Sequence, residues 1–167
     1  MANMIPISTV TVGSGGAATI DFINIPQNYT DLVVKLSARS TYTSGRANTI
    51  QLNLNGSATG FSGKDVYGDG SSAASYSPTV AIGATPSATS TSNTFSNLEI
   101  YFPNYTSSAY KSYLVDSAQD DNNTGAYLDL TAGLWSNTAA INSISIITNV
   151  NNWAQYSTAH LYGIRKY

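Results

Sequence analysis

Carboxylates, one imidazole and an excess of phenols are the groups in this sequence with chemistry to offer, and their spacing limits what that chemistry is. His160 is the only histidine. A metal site built from several imidazoles is therefore impossible, and a Ser/His/Asp relay would have to run through this one residue. No G-x-S-x-G elbow accompanies it. His160 stands beside Leu161 and Tyr162 in an apparent terminal strand, where an ordinary strand histidine is the simpler account. The chain has no cysteine, which removes thiol nucleophiles, disulfides and zinc ribbons together.

Paired carboxylates can run glycoside hydrolysis. The candidates are Glu99, the only glutamate, with Asp116, Asp120, Asp121 or Asp129. Glu99 falls on the polar face of its strand. The Asp116–Thr124 stretch reads as a solvated turn in which aspartates bond local backbone, so no catalytic pair is assigned. Asp65, Asp69 and Gly70 partly match a calcium loop, but Tyr67 takes the middle ligand position and Tyr76 the place of the closing bidentate Glu. Asp116, Asp120 and Asp121 could gather oxygen ligands by spacing alone. No metal or other cofactor is expected from either group. Triplets of the N-x-S/T type begin at Asn28, Asn55, Asn104 and Asn122, as chance allows in a chain with 16 Asn.

The aromatic set is more informative. Twelve Tyr stand against four Phe and two Trp, and a phenol offers a large contact face with a hydrogen-bonding tip, suited to subunit interfaces and to stacking on sugar rings. Phe61, Tyr67, Tyr76, Trp135 and Trp153 are the candidate interface or glycan contacts; for Trp135 and Trp153, burial in the core is the competing account.

These side chains must be positioned by strands. Only 10% of the 167 residues are charged, against roughly 25% in an ordinary domain, and the net charge of −2 gives no basic footprint for nucleic acid or anionic membrane. No apolar run is long enough for a transmembrane helix, and the first residues lack a signal-peptide pattern. Val, Ile, Thr and Tyr dominate over helix formers. Leu32, Val34, Leu36 and Ala38 alternate, as do Ile50, Leu52 and Leu54 before an Asn55-Gly56 turn, and Leu98, Ile100 and Phe102 before Pro103. Tyr113 and Val115 form another pair, and the cleanest alternation runs through Ala126, Leu128, Leu130, Ala132 and Leu134. With Ile5–Val12, Thr19–Ile25, Ile144 with Ile146, and Ala159–Ile164, the count reaches eight or nine strands. The expected fold is all-β: a single antiparallel β-sandwich domain over 1–167, a jelly roll of about eight strands. The Gly/Ser/Ala-rich residues 56–93 are expected to be one long loop excursion, an arm or a mobile insertion.

The stretch Phe22-Ile-Asn-Ile-Pro-Gln-Asn-Tyr-Thr-Asp-Leu32, continuing through Val33–Ser40 and Leu52-Asn-Leu-Asn-Gly56, and the ending His160-Leu-Tyr-Gly-Ile164 resemble small β-rich virion proteins of tailed bacteriophages, including phages of marine bacteria and cyanobacteria. The shared motifs are structural: Pro26 ahead of a strand, and Gly163 interrupting the last one at an expected bulge. The resemblance carries no catalytic residue. It implies a place on the virion surface and a non-enzymatic role, either as a capsid decoration or cement protein docked on the major capsid protein, or as a tail- or fibre-borne module that binds host glycans. It also implies a homo-oligomer, with a trimer as the expected form.

Overall fold

The structure, a computed structural model, describes residues 3–123 and 125–165. Twelve strands follow one another: β1 (Asn3–Thr11), β2 (Thr19–Phe22), β3 (Asp31–Ala38), β4 (Ala47–Leu54), β5 (Phe61–Gly68), β6 (Ala73–Tyr76), β7 (Ala81–Pro86), β8 (Ser96–Phe102), β9 (Lys111–Asp120), β10 (Ala126–Trp135), β11 (Ile144–Thr148) and β12 (Thr158–Arg165). They form two antiparallel sheets. The long one runs β1-β12-β3-β8-β9-β10-β5-β6 and the short one β2-β11-β4-β7.

Eight of these strands make a jelly roll. β1 pairs with β12, β2 with β11, β3 with β8 and β4 with β7, so each pair encloses the next as in a long hairpin wrapped over itself. The alternation read from the sequence supplies the core. Leu32, Val34 and Leu36 from β3 and Leu98, Ile100 and Phe102 from β8 face Ile50, Leu52 and Leu54 from β4 and Ile144 and Ile146 from β11, all buried. Asn55 and Gly56 both adopt positive φ (51° and 75°) in the two-residue turn that closes β4 back on Ser57.

Two expectations need correcting. Residues 56–93 are not a loop excursion: they hold β5, β6 and β7, built from small residues with few alternating apolar positions, a pattern that hides strands. Of these, β7 belongs to the jelly-roll set, and β5 and β6 together with β9 and β10 add four strands beyond it, extending the long sheet past β8. Gly163 is not a bulge either. Its register with Ile5 and Leu32 is continuous, and the irregularity lies on β1 between Pro6 and Ser8. Glycine is needed at 163 because the Tyr29 ring lies over it, 2.3 Å from where a Cβ would stand, with Arg165 in turn 5.1 Å above that ring.

The orientation of β10 is a finding that alternation alone does not supply. The apolar series of the 126–134 run points outward, and Tyr127, Asp129, Thr131, Gly133 and Trp135 point inward. Strand period fixes two faces but does not say which is buried. Here Trp135 decides, stacked on Phe61 at 6.2 Å, while Gly133 makes room for the ring of Tyr113.

Candidate functional site

The carboxylates singled out from the sequence are dispersed. Glu99 lies on the outer face, paired with Lys35 at 2.7 Å and directly opposite Asp116 across β8 and β9. Asp120 accepts the Asn122 amide at 2.7 Å, a local turn bond. Asp121 is fully buried and accepts from Arg46 Nε at 2.7 Å and the Gly125 amide at 3.0 Å. Burial pushes its carboxyl up, but those bonds outweigh it and hold the group below its ordinary range. Asp69 caps the β5–β6 turn by accepting the amides of Ser71 and Ser72 at 2.9 and 2.7 Å, which pull its carboxyl down to about 2. Asp65 faces the interior, so the calcium-loop spacing is not realised. Among the described residues no group of three or more His, Asp or Glu side chains could hold a metal ion. His160 Nδ1 lies 3.0 Å from Thr9 Oγ1 on the outer face.

The aromatic candidates divide. Trp135 and Trp153 are 1% and 0% exposed; Trp153 donates its indole N–H to the Ile146 carbonyl at 3.0 Å, and neither ring is accessible to a sugar. Phe61 is likewise in the core. Tyr67 and Tyr76 are placed differently. They meet edge to face at 6.0 Å, with Tyr127 at 6.4 Å from Tyr67, at the rim of a cleft of about 530 Å³.

This cleft lies where the two sheets end. β7 is the last strand of the short sheet and β6 the last of the long one. One wall comes from β4 and β7, with Asn48, Thr49 and Gly83, and the other from β5, β6 and β10, with the three tyrosines, Ser75 and Asp129. β7 comes close to β9 because Gly83, at φ 125°, has no Cβ; one would stand 2.5 Å from Ser117 Oγ.

Behind the rim the inner face is polar, and poorly satisfied. Asp129 is opposite Ser117 on β9 and Tyr127 opposite Gln119, while Thr131 donates to Asp65 at 2.5 Å. Of six buried side-chain atoms without a hydrogen-bond partner among the described residues, five belong to Asp65, Ser117, Gln119 and Asp129. Each such atom costs roughly 1–3 kcal/mol. Burial, and then the charge of Asp65, raise the Asp129 carboxyl to about 6. Burial and the charges of both aspartates push the Tyr76 phenol up to about 12.

The outer face of the same strands carries the opposite chemistry. Leu130 on β10 stands opposite Val66 on β5, and Ala132 opposite Leu114 on β9. Val66, Leu114, Leu128 and Leu130 are 60%, 46%, 62% and 53% exposed. They form an apolar strip on the added strands, beside a polar half in which Lys35, Glu99 and Asp116 follow one another across β3, β8 and β9. An antiparallel sheet with one wet face normally turns polar residues outward. Sequence alternation displayed this strip as a strand but not as a surface; the signal available was Asp129 and Thr131 between the leucines.

None of the described residues forms a helix that could cross a membrane. Comparison with known proteins finds no matching family model, no matching curated protein and no matching solved structure.

Proposed function

We propose that the protein is a non-enzymatic structural component of a bacteriophage particle, a decoration or cement protein that docks on the major capsid protein at the virion surface. The observation that carries the docking part is the strip of Val66, Leu114, Leu128 and Leu130, contiguous through the cross-strand pairs and exposed on a rigid sheet. Clustered exposed apolar residues of this kind mark sites of protein association. The low charge of the chain supports the same reading, because interface centres are depleted of Lys, Glu and Asp. The phage setting rests on the resemblance of the 22–56 and 160–164 segments. Assembly as a homotrimer is part of the proposal, and light scattering on the purified chain tests it.

Docking is tested by binding of the protein to purified particles that lack it, with particle composition read by mass spectrometry and position by cryo-electron microscopy. The wild-type chain decorates heads, whereas Leu128→Lys with Leu130→Lys, both at solvent-exposed positions, folds and fails to bind. Absence of the chain from heads, or undiminished binding of the double variant, would overturn the proposal.

A further inference from the structure

We propose that the cleft between the β4–β7 wall and the β5–β6–β10 wall is a binding site for a sugar ring. A sugar presents two kinds of surface, a C–H face and a rim of hydroxyls, and the cleft divides the same way. Tyr67, Tyr76 and Tyr127 line it with aromatic rings, and Thr49, Asp129 and Asn48, whose side-chain N–H already donates to the Val150 carbonyl at 2.7 Å, supply short polar groups.

Three observations lead to a ligand rather than to an idle crevice. The volume, about 530 Å³, is within the range of small-molecule sites. Asp129 is more than nine-tenths buried, lines the cleft and keeps one oxygen, Oδ2, without a partner. The unmet polar atoms of Ser117, directly opposite it, and of Gln119 and Asp65, one pair further along the adjoining strands, lie behind it outside the cleft lining, so Asp129 is the member of this group that reaches the cleft. A carboxylate so placed accepts from hydroxyl donors, and a charge-assisted bond of this kind is about twice as strong as a neutral one. β7 adds to this, since as the terminal strand of its sheet it has main-chain groups with no strand partner on one side.

The arrangement favours binding over hydrolysis. Cleavage of a glycosidic bond takes two carboxyl groups flanking the bond, and Asp65, the other acid nearby, does not line the cleft. A cation is the competing ligand, because phenols and a carboxylate also suit an ammonium group. However, Tyr67 touches Tyr76 edge to face and lies close to Tyr127, so the rings pack on one another instead of surrounding a cage, and the remaining polar lining is neutral. The site is independent of the docking strip, which lies on the opposite face of the same strands.

Saturation-transfer NMR with glucose, galactose, mannose and N-acetylglucosamine, each up to roughly 10 mM so that a 1 mM site is mostly filled, tests the proposal. Tetramethylammonium is the cationic control. The expected result is transfer to ring C–H protons of at least one sugar, reduced about tenfold or more in Asp129→Asn and in Tyr76→Ala and unchanged in Leu128→Ser. Asp129→Asn is expected to fold at least as well as the parent, so its loss of signal would report on the site. Three outcomes overturn the proposal: no transfer from any of the sugars, transfer that both cleft variants leave intact, or binding of tetramethylammonium alone. Release of shortened products from an oligosaccharide would replace binding by hydrolysis.

Discussion

Asp129→Asn is a substitution for which the structure demands a gain in stability. Asp129 is buried, its Oδ2 has no partner, and Asp65 lies on the neighbouring strand, so ionising it costs more in the folded chain than in the unfolded one. Raising a carboxyl from 3.8 to about 6 corresponds to at most about 3 kcal/mol, and with the cleft open to solvent the screened figure is about 1–2 kcal/mol. The sign follows from the direction of the shift. The penalty is absent below the unfolded value, grows as pH rises between the two values, and is complete above about 6. Asparagine keeps the shape and removes the charge. Thermal unfolding of parent and variant, followed by circular dichroism, should place the variant about 2–8 °C higher at about pH 7.5, and that gap should nearly close at about pH 4. A variant less stable than the parent at neutral pH, or a gap that does not change with pH, would refute the account of Asp129 as a costly buried charge.

Two further substitutions test the packing. Gly133→Ala would place a Cβ 2.0 Å from the Tyr113 ring; overpacking of this kind costs about 1–3 kcal/mol and should lower the urea midpoint at an unchanged slope. Arg46→Ala leaves the fully buried Asp121 carboxylate without its cation, a loss of about 2–4 kcal/mol at neutral pH given that Arg46 itself is partly exposed. Because the folded value of Asp121 lies below its ordinary one, that contribution holds at neutral pH and disappears as pH falls through the folded value. The difference between parent and Arg46→Ala should therefore narrow in acid, as it does for the Asp129 pair, but with the parent the more stable of the two.

The jelly roll is legible because most of its strands are sided. Leu32, Val34 and Leu36, or Ile50, Leu52 and Leu54, alternate with period 2, which identifies the strand, and in these strands the apolar series is the core face. The added strands, and β7 within the jelly roll, are harder to read, for physical reasons that differ from one to the next. β6 is exposed along its whole length and consists of Ala, Ala, Ser and Tyr, so it has no buried face to announce it. β7 is packed through Gly83 against Ser117 of β9, where absence of side chain is the contact. β10 announces itself clearly by its alternation, which leaves open that its leucines are outside and most of its buried positions are not aliphatic. The same inversion explains the site. Tyr67 and Tyr76 were visible as aromatic candidates, but the partner that gives them a cleft, Asp129, looked like one more aspartate near a turn. Only the pairing of β10 with both β9 and β5 brings it beside Asp65 and Ser117.

Nested pairing also dictates how the chain can reach this fold. Joining Asn3 to Arg165 directly would close nearly the whole chain as one loop, costing roughly 3 kcal/mol more in entropy than closing a turn of a few residues such as that between β9 and β10. Hairpins β5–β6, β8–β9 and β9–β10 need only local closure. Once β4 meets β7 and β3 meets β8, the interval left for β2 with β11 is already shortened, and β1 with β12 comes last. Propagation from the innermost pair outward thus replaces one long closure by several short ones, and the seam between the first and last strands is the slow event of a fold dominated by distant contacts.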